Sequence, residues 1–187
     1  MARTPSNMLA LGTKAPFFEL PNPAKNNEIQ SLEDLKGEKG TLVIFMCNHC
    51  PFVVHVIDQL AELYDDYKAK GIEFIAINSN DVLNYPADSP ELMPDFAEEH
   101  GVHFPYLYDE SQAIAKAYDA ACTPDFYFFD DKLDLVYRGQ MDDARPGNQN
   151  EVTGEDLIIA FENLLAGQPQ EDLQKPSLGC NIKWKEA

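Results

Sequence analysis

The chain alternates unbroken apolar runs with stretches in which apolar residues recur every three or four positions. Thr41-Leu-Val-Ile-Phe-Met46 is continuously apolar and rich in β-branched side chains, the pattern of a strand buried on both faces of a mostly parallel sheet. Beyond it, Phe52, Val53, Val56, Ile57, Leu60, Leu63, Tyr64 and Tyr67 fall at helical spacing, and Gly71 supplies a C-terminal stop. This predicts an amphipathic helix of about five turns. Ile72-Glu-Phe-Ile-Ala-Ile-Asn78 reads as a second strand, so the three segments form a strand–helix–strand unit.

The polar, proline-containing stretch from Asn80 to Pro90 reads as a loop. A short helix follows around Pro94 to His100, with the proline in its first turn and Gly101 as its end. A further helix is expected from Ser111 to Ala120, its N-terminal end suited by the carboxylates of Asp109 and Glu110. Asp125–Phe129 and Leu133–Tyr137, separated by Asp130-Asp131-Lys132, read as an antiparallel hairpin. Thr153 with Asp156 three residues on resembles a capping box for a last helix whose buried face is Leu157, Ile158, Phe161, Leu164 and Leu165. No repeat or low-complexity tract divides the chain. The expectation is one domain over residues 11–167, an N-terminal tail of residues 1–10, and a C-terminal tail of residues 168–187 lying on the surface with Trp184 as its anchor.

At 187 residues the chain can bury a core without disulfide staples. Its 32 acidic against 14 basic residues, a formal charge of −18, would repel phosphate backbones and anionic lipid surfaces. Neither nucleic acid nor a membrane is therefore expected as a partner. The first eleven residues have no secretory apolar core, and no stretch approaches the length of a membrane span. The expected location is the cytoplasm. Four cysteines, Cys47, Cys50, Cys122 and Cys180, are too few and too scattered for a secreted disulfide framework.

The chemistry centres on Cys47-Asn48-His49-Cys50-Pro51, where the first apolar strand gives way to the helix. Two cysteines one helical turn apart are close enough for an unstrained disulfide. A thiolate at Cys47 is expected to be stabilised by the helix dipole, its pKa lowered toward neutral pH. Pro51 suits the first turn. His49 is expected either to support the thiolate as a cation, making the disulfide more oxidising, or to be a solvated bystander. A zinc site formed by Cys47 and Cys50 with Cys122, Cys180 or a histidine is the rival. His55, Arg138 and Arg145 are weaker candidates, the two arginines as receivers of an anionic substrate.

Around this motif, Gly12-x-x-Ala15-Pro16-x-Phe18-x-Leu20, then Leu32-x-Asp34-Leu35-Lys36-Gly37 leading into Leu42-Val43-x-Phe45, resemble the thioredoxin-like redoxin group. That group includes peroxiredoxins of the AhpC/TSA type and TlpA/ResA-type thiol–disulfide proteins, and the similarity runs from Leu11 to Leu165. The resemblance implies an α/β thioredoxin fold: a central mixed β-sheet flanked by helices, with an N-terminal redoxin extension. It assigns Thr123-Pro124 to the cis-proline loop that faces the cysteines, which brings Cys122 near them as either a third redox thiol or a buried small residue.

The sequence departs from the group's patterns at two places. Ile44 stands where peroxiredoxins carry a threonine before the peroxidatic cysteine, and no carboxylate lies between Thr41 and Met46 to act as the base that thioredoxins carry there. The expected activity is thiol–disulfide exchange with Cys47 attacking and Cys50 resolving, without metal or organic cofactor, with electrons from a dithiol protein or glutathione. Peroxide reduction, with Cys50, Cys122 or Cys180 resolving, and a non-enzymatic zinc- or partner-binding module are the alternatives. Cys180 is either a resolving thiol on a mobile tail or an idle cysteine.

Overall fold

The structure is a computed structural model that describes residues 3–187; Met1 and Ala2, within the expected N-terminal tail, lie outside the described residues. In chain order the elements are β1 (Thr4–Pro5), β2 (Glu19–Asn22), β3 (Glu28–Ser31), α1 (Leu32–Leu35), β4 (Gly40–Phe45), α2 (Pro51–Tyr67), β5 (Ile72–Asn78), α3 (Met93–Glu99) and β6 (Tyr106–Tyr108). They continue with α4 (Ala113–Ala117), β7 (Cys122–Thr123), β8 (Asp125–Asp130), β9 (Leu135–Gly139), α5 (Glu155–Leu165) and β10 (Leu178–Asn181).

The main sheet has the order β6-β5-β4-β8-β9. β4 runs parallel to β5 and β5 to β6, while β4–β8 and β8–β9 are antiparallel. Side chains alternate across β4. Leu42, Ile44 and Met46 join α2 and α5 residues such as Ile57, Leu60, Leu157 and Phe161 on one face. Val43 and Phe45 join Phe18, Leu32, Tyr118 and Tyr127 on the other. Because both faces are covered, every residue of β4 is buried, which is why this strand reads as a continuous apolar run. Among the described residues no helix is long and apolar enough to cross a membrane.

Three boundaries differ from expectation, each for a backbone reason. Gln112 and Asp119 have φ of 64° and 52°, and such left-handed residues cannot continue a helix, so α4 is shorter than Ser111–Ala120. Asp109 still serves its start, accepting from Ala115 N at 3.0 Å. At the hairpin, Asp130 Oδ1 accepts from the N–H groups of Lys132 and Asp134, both at 2.9 Å, and Leu133 has φ 63°. The turn therefore consumes Leu133, and β9 begins at Leu135. The Thr153–Asp156 capping box does not form. Gly154, with φ 73°, is the N-cap of α5, the carbonyl of Met141 accepts from Asp156 N at 3.1 Å, and the Asp156 carboxylate instead receives Gln140 Nε2 at 2.7 Å.

The larger correction concerns the termini. The segment after Gly167 is not a surface tail. β10 pairs antiparallel with β1 on one side and β7 on the other, Cys180 and Ile182 are buried, and Trp184, the expected anchor, is 40 % exposed. Backbone ladders and side-chain amides hold this segment, Lys183 N on Asn80 Oδ1 and Lys185 N on Gln112 Oε1, each at 2.9 Å. Hydrogen-bonded anchoring of this kind leaves little trace in an apolar pattern.

Candidate active site

β4 ends one residue before Met46, whose N–H still reaches Ile77 O at 3.0 Å. The chain then turns through Cys47-Asn48-His49 before α2 begins. Cys50 is the N-cap of α2, with extended φ −70° and ψ 122°, and Pro51 is in the first turn. The two cysteines are therefore not both within a helical turn, as expected from spacing. Cys47 precedes the cap, and Cys50 alone occupies it.

The Thr123–Pro124 peptide is cis, as expected, and closes over the pair. Thr123 touches both sulfurs: its carbonyl accepts from Cys50 Sγ at 3.4 Å in the thiol form, and its Oγ1 lies 3.8 Å from Cys47 Sγ. Cys47 and Cys50 are 1 % and 0 % exposed. Their acidities diverge. Contact with the Cys47 thiol, then with Cys180 and Thr123, lowers Cys50 to about 5 against the opposing effect of burial. Cys47 is pushed up by that same contact with Cys50, then by burial and by the charge of Asp88. Cys47 is thus raised where lowering by the helix dipole was expected: it precedes the cap of α2, and dipole effects fade within a turn.

Asp88 is the residue that sequence reasoning missed. It is fully buried, in a 3₁₀ turn at Pro86–Asp88 inside the stretch read as a loop. Its Oδ1 accepts from Asn48 N at 2.9 Å and His49 N at 3.0 Å. Its Oδ2 receives Asn80 Nδ2 at 2.9 Å and lies 2.6 Å from His49 Nδ1. Asn78 Nδ2 holds the Asp88 carbonyl at 2.7 Å. A buried carboxylate needs such partners, and here they are the backbone of the cysteine turn itself. His49 is accordingly no solvated bystander: it is tied to Asp88 and stacked on Tyr85, ring centroids 6.1 Å apart. Asn48 is fixed at both ends, Nδ2 on Ala87 O at 3.2 Å and Oδ1 under Tyr106 Oη at 2.9 Å. The only sequence signal for Asp88 was an acid between two prolines, which says nothing about a partner some forty positions upstream.

Cys180 sits on β10 opposite Thr123, within hydrogen-bond reach of Cys50 Sγ and of Phe52 N–H. Burial, then the contact with Cys50, raises it to about 12. It belongs to the same buried cluster as Cys47 and Cys50. It is no mobile-tail residue. Cys122, on the same short strand as Thr123, turns its thiol to Pro124 O at 3.8 Å and is raised by burial. Arg138 and Arg145 do not await a substrate: Arg138 binds Leu9 O and Gln174, and Arg145 binds Asp142 O, Ala144 O and Gln140. His55, half-buried on α2, has Nε2 enclosed without a hydrogen-bond partner.

For a metal, the candidate ligands are Cys47, His49 and Asp88, whose donor atoms lie within 4.8 Å of one another. They would hold a cation only by giving up the His49–Asp88 hydrogen bond, since that ring nitrogen and that oxygen already face each other.

A structure of an uncharacterized conserved protein from Geobacillus kaustophilus is 55 % identical, with a TM-score of 0.97 over 100 % of this chain and 98 % of that one. The thioredoxin domain of a thiol-disulfide oxidoreductase from Bacteroides vulgatus, at 17 % identity and TM-score 0.61, covers 80 % of this chain and 96 % of its own, and shares the fold. The thiol-disulfide oxidoreductase ResA of Geobacillus kaustophilus HTA426 is 30 % identical over 128 residues, 68 % of this chain and 67 % of that protein. The match spans 61 % of the length of ResA from Halalkalibacterium halodurans. The Redoxin family model matches residues 10–156. With that match across most of its length, a thioredoxin fold and a strand-end cysteine pair under a cis-proline, the chain belongs to the Redoxin family.

Proposed function

We propose that the protein is a thiol–disulfide oxidoreductase whose Cys47 and Cys50 cycle between dithiol and disulfide. The observation that carries this reading is a pair of buried sulfurs at the start of α2 that both face Thr123, beside the cis Thr123–Pro124 peptide. ResA relatives named as thiol-disulfide oxidoreductases support it.

In the forward direction Cys47 passes its proton to Cys50 and attacks a substrate disulfide, forming a Cys47–substrate mixed disulfide and releasing one substrate thiol. Cys50, deprotonated again, attacks Cys47 Sγ, releases the second substrate thiol and leaves Cys47–Cys50 oxidised. Two electrons have moved to the substrate, with one proton from the cysteine pair and the second from solvent. A dithiol protein or glutathione reverses the sequence and restores the pair.

The test is turnover of a small-molecule or protein disulfide with glutathione as reductant. Wild-type protein is expected to be active and Cys47→Ser inactive. Equal turnover in both proteins, or hydrogen-peroxide turnover without disulfide turnover, would overturn the reading.

A further inference from the structure

Cys50 Sγ has a sulfur on each side. Cys47 lies ahead of it in the turn, and Cys180 reaches it from β10, each within hydrogen-bond distance. The contact is built into the backbone. Thr123 pairs with Cys180 across β7 and β10 while its carbonyl and hydroxyl meet Cys50 and Cys47, so one residue positions all three sulfurs. Gly179 makes the approach feasible: a Cβ there would lie 2.0 Å from Thr123 O and 2.7 Å from its carbonyl carbon. Only glycine lets β10 come this close. The start of α2 also addresses the new contact, with Phe52 N–H on Cys180.

We propose that Cys180 is a third redox thiol, exchanging with the Cys47–Cys50 disulfide to give an interior Cys50–Cys180 disulfide and a free Cys47. The proposal rests on the oxidoreductase reading above. In the exchange the Cys180 thiolate attacks Cys50 Sγ, a Cys50–Cys180 bond forms, the Cys47–Cys50 bond breaks, and its electron pair leaves on Cys47 Sγ. The proton given up by Cys180 is taken by Cys47, so no outside oxidant or reductant is consumed. The consequence is a protein that keeps its oxidising equivalent in the core while Cys47 is available for another substrate. Cys122 has no part, since its thiol is directed at Pro124 O.

Trypsin leaves Cys47 and Cys50 on one fragment, Cys122 on a second and Cys180 on a third, so the two disulfides are separable by mass. The reduced full-length protein is treated with diamide, held at neutral pH, acid-quenched, alkylated and mapped. Two species are expected: a Cys47–Cys50 loop within one fragment, and a Cys50–Cys180 cross-link with Cys47 alkylated. In Cys47→Ser only the cross-link should form, and in Cys180→Ser only the loop. If all oxidised wild-type protein carries the loop with Cys180 alkylated, and Cys47→Ser gives no cross-link, the third-thiol proposal is overturned while the oxidoreductase reading stands. If wild-type protein forms neither disulfide, both fall.

Discussion

Replacing Asp88 by Asn removes a charge and one acceptor while keeping the shape of the side chain. If the remaining carbonyl keeps the Asn48 and His49 amides, the new amide group faces His49 Nδ1 and Asn80 Nδ2, which it displaces from 2.6 Å and 2.9 Å contacts. A buried polar group left without its partner costs about 1–3 kcal/mol. The His49 side chain is 34 % exposed, so water recovers part of its loss, whereas Asn80 is buried and recovers none. The expected loss of unfolding free energy is on the order of 2–4 kcal/mol. Asn80→Ala, which removes the donor to Asp88 and the acceptor of Lys183 N, should cost about 2–3 kcal/mol. Asp88 also holds Cys47 up by its charge. In a Cys50→Ser background, where the shared proton is gone, Asp88→Asn should therefore make the Cys47 thiol more acidic as it destabilises the fold. Urea unfolding measures the first effect, and thiolate absorbance near 240 nm against pH the second, with circular dichroism as the check on folding. A folded Asp88→Asn protein as stable as wild type, with Cys47 titrating no lower, would refute the claim that this carboxylate both holds the turn and suppresses the thiolate.

Gly179→Ala places a methyl group against the Thr123 backbone, so it should destabilise by about 1–3 kcal/mol in urea unfolding and reduce the Cys50–Cys180 cross-link more than the Cys47–Cys50 loop. Asp125, at the start of β8, is raised by burial from the ordinary 3.8 to about 7 although Tyr127 Oη donates to it at 3.0 Å. The folded state therefore holds this proton more tightly than the unfolded chain. Its contribution to stability is full below about pH 4 and is lost as pH rises to about 7, a change on the order of 4 kcal/mol. Asp125→Asn should flatten the dependence of stability on pH across that window, and an unaltered profile would contradict the burial argument.

The parts of this protein that were legible in its sequence are those governed by side-chain burial. Thr41–Met46, the α2 stripe from Phe52 to Tyr67 and Ile72–Asn78 announce themselves because both faces of the sheet are covered. The cysteine pair could be placed from its local motif, and the Thr123-Pro124 loop from the family resemblance. What stayed hidden depends on the main chain and on polar partners distant in sequence. β10 is held by ladders to β1 and β7 rather than by an apolar stripe, so Cys180 looked like a tail residue. Asp88 earns its place through amides of the turn it supports, and a carboxylate between two prolines carries no sign of that.

The position of the helix cap changes where reactivity should be sought. A dipole acts on groups within the first turn, and the first turn of α2 presents Phe52 N–H to Cys180. Cys47 stands outside it, beside a buried carboxylate that opposes its ionisation. The sulfur proposed to meet substrate therefore ionises against that charge, with its neighbour as the nearby proton acceptor. Removing Cys50 deprives Cys47 of its proton acceptor as well as its resolving partner. The rate of the first attack, and not the resolution step alone, should consequently depend on Cys50.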